Sequence, residues 1–347
     1  MRQQRHKELF GNFDPVVNAV LRPVIKVVVP KKPKEQSAQA QPLKTFIDLF
    51  CGIGGFHVAG KGLGMECVFA CDIDMDARRA YEENFKLIPQ GDITRINAKD
   101  IPDHDLLCAG FPCQPFSIIG SQKGFSDPRG TLFFEIARII KEKKPKAVML
   151  ENVKQLASSN GGETLKTIKK TLEELGYYVE HKVLNALDFG VPQKRERVLI
   201  VGTRKDLGSF PWPDKKVPMK PLIEILEENP DPKHFVSNKI KRSREQNHKA
   251  TISPSIWHEN KSGNISSHPF SCALRAGASY NYLLVDGKRR LTPREMLRLQ
   301  GFPDNFQIVC NDSQTRKQAG NSVPVPMIKS VMKNLLEFYG HNATKGK

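Results

Sequence analysis

The chain has no C-x-x-C pair. Its seven cysteines fall singly at 51, 67, 71, 108, 113, 272 and 310, an odd number that fits neither a disulfide framework nor a zinc ribbon. The histidines are scattered without ligand spacing, so no metal site is expected. No apolar run approaches the roughly 18 residues needed to cross a bilayer, and "MRQQRHKELFGNF" lacks the apolar segment and small-residue cleavage site of a secretion signal. A cytoplasmic protein without a membrane partner is the expectation. Acids are also short. Against 54 Lys and Arg stand 37 Asp and Glu, leaving a formal charge of +17, which suits a polyanion such as nucleic acid or, equally, a solvated basic surface.

The 347 residues contain 39% hydrophobic and 26% charged side chains, as globular proteins do. Residues 1–43 are basic and end in "VVVPKKPKEQSAQAQP", a linker-like mixture expected to be loosely ordered. From Lys44 onward short apolar runs ("TFIDLF", "CVFAC", "DLLCAGF", "AVMLENV", "RVLIVGT") alternate with amphipathic stretches. The runs read as parallel strands covered on both faces. In "ETLKTIKKTLEELGY" Leu165, Ile168, Leu172 and Leu175 recur at helical steps. The alternation predicts an α/β fold, a doubly wound, mostly parallel sheet. It stops near residue 205. Residues 206–289, rich in Pro, Asn, Ser and Lys, read as a smaller irregular domain, and helical patterning returns over 290–340, completing the domain that begins at 44.

The first strand leads into "FCGIGGF", and a glycine turn after strand one is where doubly wound sheets bind nucleotides. A tight strand-to-helix turn would look the same. The next strand ends on Asp72 and Asp74, acids placed to accept from ribose hydroxyls, and a third ends in "QGDIT", where Asp92 and Ile93 suit an adenine amine and face. The pattern is G-x-G-G, without the G-x-G-x-x-G spacing that serves a pyrophosphate. An adenosine cofactor without phosphates fits better, and S-adenosylmethionine is such a molecule.

"GFPCQPFS" sets Cys113 between Pro112 and Pro115 at the end of a strand, which restricts its backbone. That stiffness suits a nucleophile or an ordinary turn with a packed thiol. Glu151 ends a later strand, "AVMLENV", and belongs on the same rim if strand ends gather ligands; a helix-capping or surface carboxylate is the alternative. In "GVPQKRERVLIV" Arg195 and Arg197 alternate in an extended segment and are expected to project together, or else to form a salt-bridged edge.

Taken in order, "DLFCGIGG", "GDIT", "GFPCQPFS", "ENV", "QKRER", "RLTPREMLRLQGFP" and "QAGNSVP" resemble the DNA (cytosine-5) methyltransferases of the compact bacterial modification type. The resemblance covers roughly residues 44–205 and 290–340. It implies that Cys113 is the nucleophile and that Glu151 and Arg197 contact the base, with Arg195 beside them. It implies S-adenosylmethionine held by Phe50, Gly52, Ile53, Gly54, Asp72, Ile73, Asp92, Ile93, Pro112, Asn321 and Ser322. The chemistry accounts for the residue types. Carbon 5 of cytosine is a poor nucleophile until a thiolate adds to carbon 6, a carboxyl can protonate or hydrogen-bond ring nitrogen 3, and a guanidinium can hold the oxygen at position 2.

Double-stranded DNA is the implied partner, with the target base flipped out of the stack and a specific sequence read by residues 206–289. Expected DNA contacts are Gln114, Ser117 and Ile119 in the loop after the thiol, together with Lys239, Lys241, Arg242 and Arg244. The glycine-punctuated stretch "SIIGSQKGFSDPRG" reads as a loop that closes over DNA or is merely exposed. A monomer and a companion restriction endonuclease for the same sequence complete the expectation. The chain departs from the family at Ala273-Leu274, where Thr-Leu is usual. An RNA cytosine-5 methyltransferase and a non-catalytic DNA-binding relative are the alternatives.

Overall fold

In the computed structural model, residues 43–112 and 131–344 are described. The expectations for the N-terminal extension and for Cys113, Gln114, Ser117, Ile119 and the loop that follows lie outside the described residues.

Six strands form the central sheet: β1 (Thr45–Leu49), β2 (Glu66–Cys71), β3 (Leu106–Gly110), β4 (Ala147–Val153), β5 (Tyr178–Asn185) and β7 (Glu196–Thr203). Their order is β2-β1-β3-β4-β7-β5. The β2, β1, β3 and β4 neighbours pair in parallel. β7 does not: it runs antiparallel to both β4 and β5, which corrects the reading of "RVLIVGT" as a parallel strand within a mostly parallel sheet. An unbroken apolar run records burial on two faces and carries no information about direction.

Successive residues of each strand feed opposite cores. On one face Ile47, Leu49, Leu107, Val148, Leu150 and Ile200 meet helices α3 (Thr131–Lys143) and α4 (Glu163–Glu174), which contribute Ile136, Ile139, Leu165, Ile168 and Leu172. On the other, Phe46, Leu106, Met149, Leu199 and Val201 lie under α1 (Gly55–Lys61), α6 (Pro293–Gln300) and α8 (Val325–Thr344), through Phe56, Ala59, Leu297, Leu299 and Leu335. Helices cover both faces, as the doubly wound expectation required. The α4 periodicity matches its buried stripe through Leu172.

The described residues cluster as one compact unit. Within it, residues 206–289 carry α5 (Asn238–Asn247) and a three-stranded antiparallel sheet in which β8 (Ile256–Glu259) lies between β11 (Leu283–Val285) and β9 (Ile265–His268). A short strand from the same stretch, β10 (Ser271–Cys272), pairs with β6 (Gln193–Lys194) just ahead of β7.

Between β1 and α1 the chain turns through Phe50 at φ 54°, Gly52 at φ 52° and Gly54 at φ 87°. Left-handed backbone is routine for glycine and costly for Phe50. At Gly54 there is a second demand, because a Cβ there would lie 2.2 Å from Phe85 Cε2. Gly54→Ala is therefore expected to lower stability by about 1–3 kcal/mol and the melting temperature by several degrees, read by circular dichroism without ligand. An unchanged melting curve would mean that the turn and Phe85 relax freely.

Candidate active site

Where β1, β2, β3 and β4 end at their carboxyl edges, a cavity of about 490 Å³ opens. Its walls bring together Phe50, Gly52, Asp72, Ile73, Asp92, Ile93, Pro112, Asn321, Glu151, Arg195 and Arg197, eleven residues singled out from the sequence. Three others stand elsewhere. Ile53 is buried in the core, Gly54 caps α1, and Ser322 lies behind the wall, where its carbonyl receives Arg195.

The turn and the second strand are joined by Asp72. Its Oδ2 accepts the Gly52 amide at 2.8 Å, and its Oδ1 accepts the Asp74 amide at 2.8 Å. Burial raises its pKa, and these two amide bonds oppose the shift. Each oxygen retains a lone pair for a further donor. Above Gly52 an added Cβ would meet nothing within 4 Å, so the turn faces open space. Ile73 is 74% exposed although it lines the cavity, an apolar face of the kind a planar ring would cover. "QGDIT" does not end a strand, contrary to the expectation: Gln90 makes only an isolated bridge to Cys71, and Asp92 caps the short 3-10 turn Ile93–Arg95 by accepting the Thr94 amide at 3.0 Å. Acids beside apolar walls fit an adenosine with its ribose hydroxyls.

Glu151 lies opposite Gly110 in the β3–β4 register, three residues before Cys113 in the chain. It is 7% exposed. Arg197 Nε donates to its Oε1 at 2.8 Å. The antiparallel course of β7 makes this contact, since the first residues of β7 lie beside the last of β4, with Arg197 registered on Val153. Had β7 been parallel, both arginines would have stood on the opposite rim. Next to Glu151, Asn152 Nδ2 donates to the Phe111 carbonyl at 2.8 Å and ties β4 to the segment entering Pro112.

Arg195 and Arg197 share the cavity wall but have different partners. The buried Arg195 guanidinium donates to the carbonyls of Leu274 at 2.8 Å, Gly320 at 3.0 Å and Ser322 at 2.6 Å. It clamps three segments. Gln193 supports the same junction, donating to the Leu299 carbonyl at 2.8 Å and accepting the Leu274 amide at 3.0 Å.

Lys317 was not found from the sequence. It stands on α7 (Asp312–Asn321) and donates to Asp74 Oδ2 at 2.8 Å across the mouth of the cavity. The partners are 243 residues apart, and neither has a local signal. Arg244 departs from its expectation as a phosphate contact: it is buried, donating to Glu259 Oε2 at 2.6 Å and the Asn281 carbonyl at 2.9 Å. Lys239 and Arg242 on the same helix are exposed, and Lys241 is half-buried.

A doubly wound sheet with a glycine turn, and carboxylates beside apolar walls at its carboxyl edge, fits an S-adenosylmethionine-dependent methyltransferase. The chain belongs to the C-5 cytosine-specific DNA methylases, whose family profile matches residues 44–337. It is similar to the type II methyltransferase M.NgoBI of Neisseria gonorrhoeae, 55% identical over 83% of this chain and 91% of the relative. Similarity to M.HaeII of Haemophilus aegyptius is 53% over 84% and 92%. The fold matches the solved Entamoeba histolytica methyltransferase EhMeth with a TM-score of 0.67 at 20% identity, covering 86% of this chain and 99% of that one. The protein is a DNA (cytosine-5-)-methyltransferase, and its methyl donor is S-adenosylmethionine.

Burial raises the pKa of Glu151, and the charges of Arg197 and then Arg195 oppose the shift. A raised carboxyl stabilises the fold fully below its unfolded value of about 4.3, and that contribution is lost as pH rises through the folded pKa. The Glu151 titration, followed by carbon-13 NMR, is expected above about 4.3. Arg197→Gln removes the largest opposing cause, so it should move the titration higher still; a midpoint that falls would show that the Arg197 charge does not hold the carboxyl down.

Proposed function

We propose that the enzyme methylates carbon 5 of cytosine within a specific sequence of duplex DNA, through a covalent bond from Cys113 to carbon 6 of a flipped-out base. The observation carrying this reading is the Glu151–Arg197 pair at 2.8 Å, set beside the strand that leads into Pro112 and Cys113. Atoms within a stacked duplex are inaccessible, and flipping costs a few kcal/mol, so a buried pocket must repay it with contacts to the base.

The Cys113 thiolate adds to carbon 6, and electron density moves toward ring nitrogen 3. Glu151, with its raised pKa, donates a proton or hydrogen bond there. Arg197 keeps the carboxyl aligned and holds the base oxygen at position 2, where charge builds. S-adenosylmethionine supplies an electrophilic methyl group for the activated carbon 5. Phe50, Ile73 and Ile93 would flank its adenine, Asp72 its ribose and Asp92 its amine, with Gly52, Pro112 and Asn321 completing the cradle. Loss of the carbon 5 proton and departure of the thiolate restore the aromatic base.

Residues 206–289 act as the recognition domain in this reading, because readout needs side chains that reach base edges. Exposed Lys239 and Arg242, with Lys241, contact phosphates, and Gln114, Ser117 and Ile119 near the nucleophile are further DNA contacts. The curated relatives carry type II names, which supports a modification role alongside a restriction endonuclease of the same specificity. A cytoplasmic monomer suits that role. No helix among the described residues is long and apolar enough to cross a membrane.

Sequencing of bisulfite-converted DNA from cells expressing the protein should show methylated cytosine in one recurring sequence. Methylation of transfer RNA with duplex DNA untouched would overturn the substrate. Asp72→Ala is expected to weaken S-adenosylhomocysteine binding about tenfold or more, by isothermal titration on a variant of unchanged circular dichroism; unaltered affinity removes Asp72 from the site. Fluorine at carbon 5 blocks the final proton loss, so a 5-fluorocytosine duplex with S-adenosylmethionine should give a denaturant-resistant complex joined through Cys113. Cys113→Ser should abolish both complex and turnover, while Cys51→Ala and Cys108→Ala should leave trapping intact. A crosslink at another cysteine ends the mechanism.

A further inference from the structure

One short helix, α7, stands between the cofactor cavity and the 273–282 segment, and consecutive residues on it serve opposite sides. On one side Lys317 bonds Asp74, whose amide bonds Asp72, which in turn accepts the Gly52 amide. Gln318 and Asn321 of the same helix line the cavity. On the other side Arg316 Nη2 donates to the carbonyls of Ala278 and Ser279, the latter at 2.9 Å. Its guanidinium lies 4.6 Å from the Tyr280 ring centroid. Neighbouring helical residues point about 100° apart at 3.6 residues per turn, so one placement of α7 sets both contacts.

The segment reached by Arg316 runs between β10 and β11 without helix or strand. Leu274 and Tyr282 are buried in the core near its two ends, whereas Gly277, Ser279 and Tyr280 between them are exposed. A cavity of about 240 Å³ lies there, lined among others by Arg275, Tyr280, Tyr282 and Met296. Polar ties add to these anchors: Arg316 reaches the segment from α7, while Arg195 donates to the Leu274 carbonyl and Arg244 to the Asn281 carbonyl; α7 also packs closely against it at Gly320, where a Cβ would approach the Ala276 amide nitrogen to 2.5 Å. Tyr280, whose ring centroid also lies 5.2 Å from the Arg290 guanidinium, is 47% exposed. It offers a ring and flanking cations to a polyanion.

We propose that Arg316 is a positioning residue that couples occupancy of the cofactor cavity to the DNA-binding placement of residues 273–282. The proposal rests on the cofactor and recognition assignments made above. A ligand that fixes the Asp72–Asp74 wall fixes Lys317 and with it α7, and Arg316 carries that placement to the Ala278 and Ser279 carbonyls. Coupling between two binding events is reciprocal, so the same factor must appear whichever ligand is added first.

The test measures affinity for a short duplex carrying the sequence found by conversion sequencing, with and without saturating S-adenosylhomocysteine. In the unaltered enzyme the ligand should tighten duplex binding at least about fivefold. In Arg316→Ala the factor should fall to within about twofold of one, while S-adenosylhomocysteine alone binds within about twofold of its usual affinity, a split that general damage would not give. Arg316→Lys keeps the charge but loses the fork that reaches two carbonyls, and should give an intermediate factor; it decides the matter if the alanine variant does not fold. Lys166→Ala, on the distant α4, controls for the lost charge and should retain full coupling. Coupling that is absent from the unaltered enzyme, or unchanged in Arg316→Lys and in a folded Arg316→Ala, overturns the proposal. Failure of the unaltered enzyme to bind either ligand would instead overturn the functional reading beneath it.

Discussion

The architecture of the site depends on one buried cation. Arg195 sits in the interruption between β6 and β7 and donates to carbonyls of the irregular 273–282 segment, the end of α7 and the turn beyond it. Three segments distant in sequence thereby share one point. Bonds from a charged donor to neutral carbonyls are stronger than ordinary amide bonds, and removing one partner from a buried charge is costly. Burial and the like charge of Arg197 pull the pKa of Arg195 down. With this point fixed, the wall holding Glu151 and the wall holding Asn321 face each other across the cavity.

On that frame the reactive groups divide by environment. Glu151 is desolvated and has its pKa raised, while Arg197 orients it without neutralising the burial. Asp72 is raised for the same reason, but two backbone amides hold its oxygens and make it part of the glycine turn. Asp74 is lowered by its bond to Lys317 and by the amides of Ala77 and Asp76 that it accepts, despite some burial. Three carboxylates within one cavity thus differ in protonation tendency because of depth and donors, not residue type.

Residues 206–289 show how a basic composition divides its labour. Arg244 in the basic run is consumed by Glu259 and the Asn281 carbonyl, fixing α5 to the small sheet, whereas Lys239 and Arg242 remain at the surface. Arg289 is similarly internal, making two bonds to the buried carboxylate of Glu295. A net charge counts all of these alike. Only those left in contact with solvent contribute to a field that a polyanion would sense.

Much was legible in the sequence because it is local. The stripe Leu165, Ile168 and Leu172 fixes which face of α4 is buried, G-x-G-G permits the left-handed turn, and the strand ends at Asp72 and Glu151 follow from apolar runs and their limits; Asp92, read as a strand end, follows only an isolated bridge at Gln90. Glu151 and the Pro112 segment could be placed on one rim by the rule that open sheets gather ligands at carboxyl ends. The direction of β7 could not, since an apolar strand buries equally well either way. That direction decides whether Arg197 meets Glu151 or lies a sheet's height away. The partners of Arg195, the Lys317–Asp74 bond and the burial of Arg244 were likewise decided by tertiary structure, because a charged side chain carries no record of which distant carbonyl or carboxylate will lie within 3 Å of it.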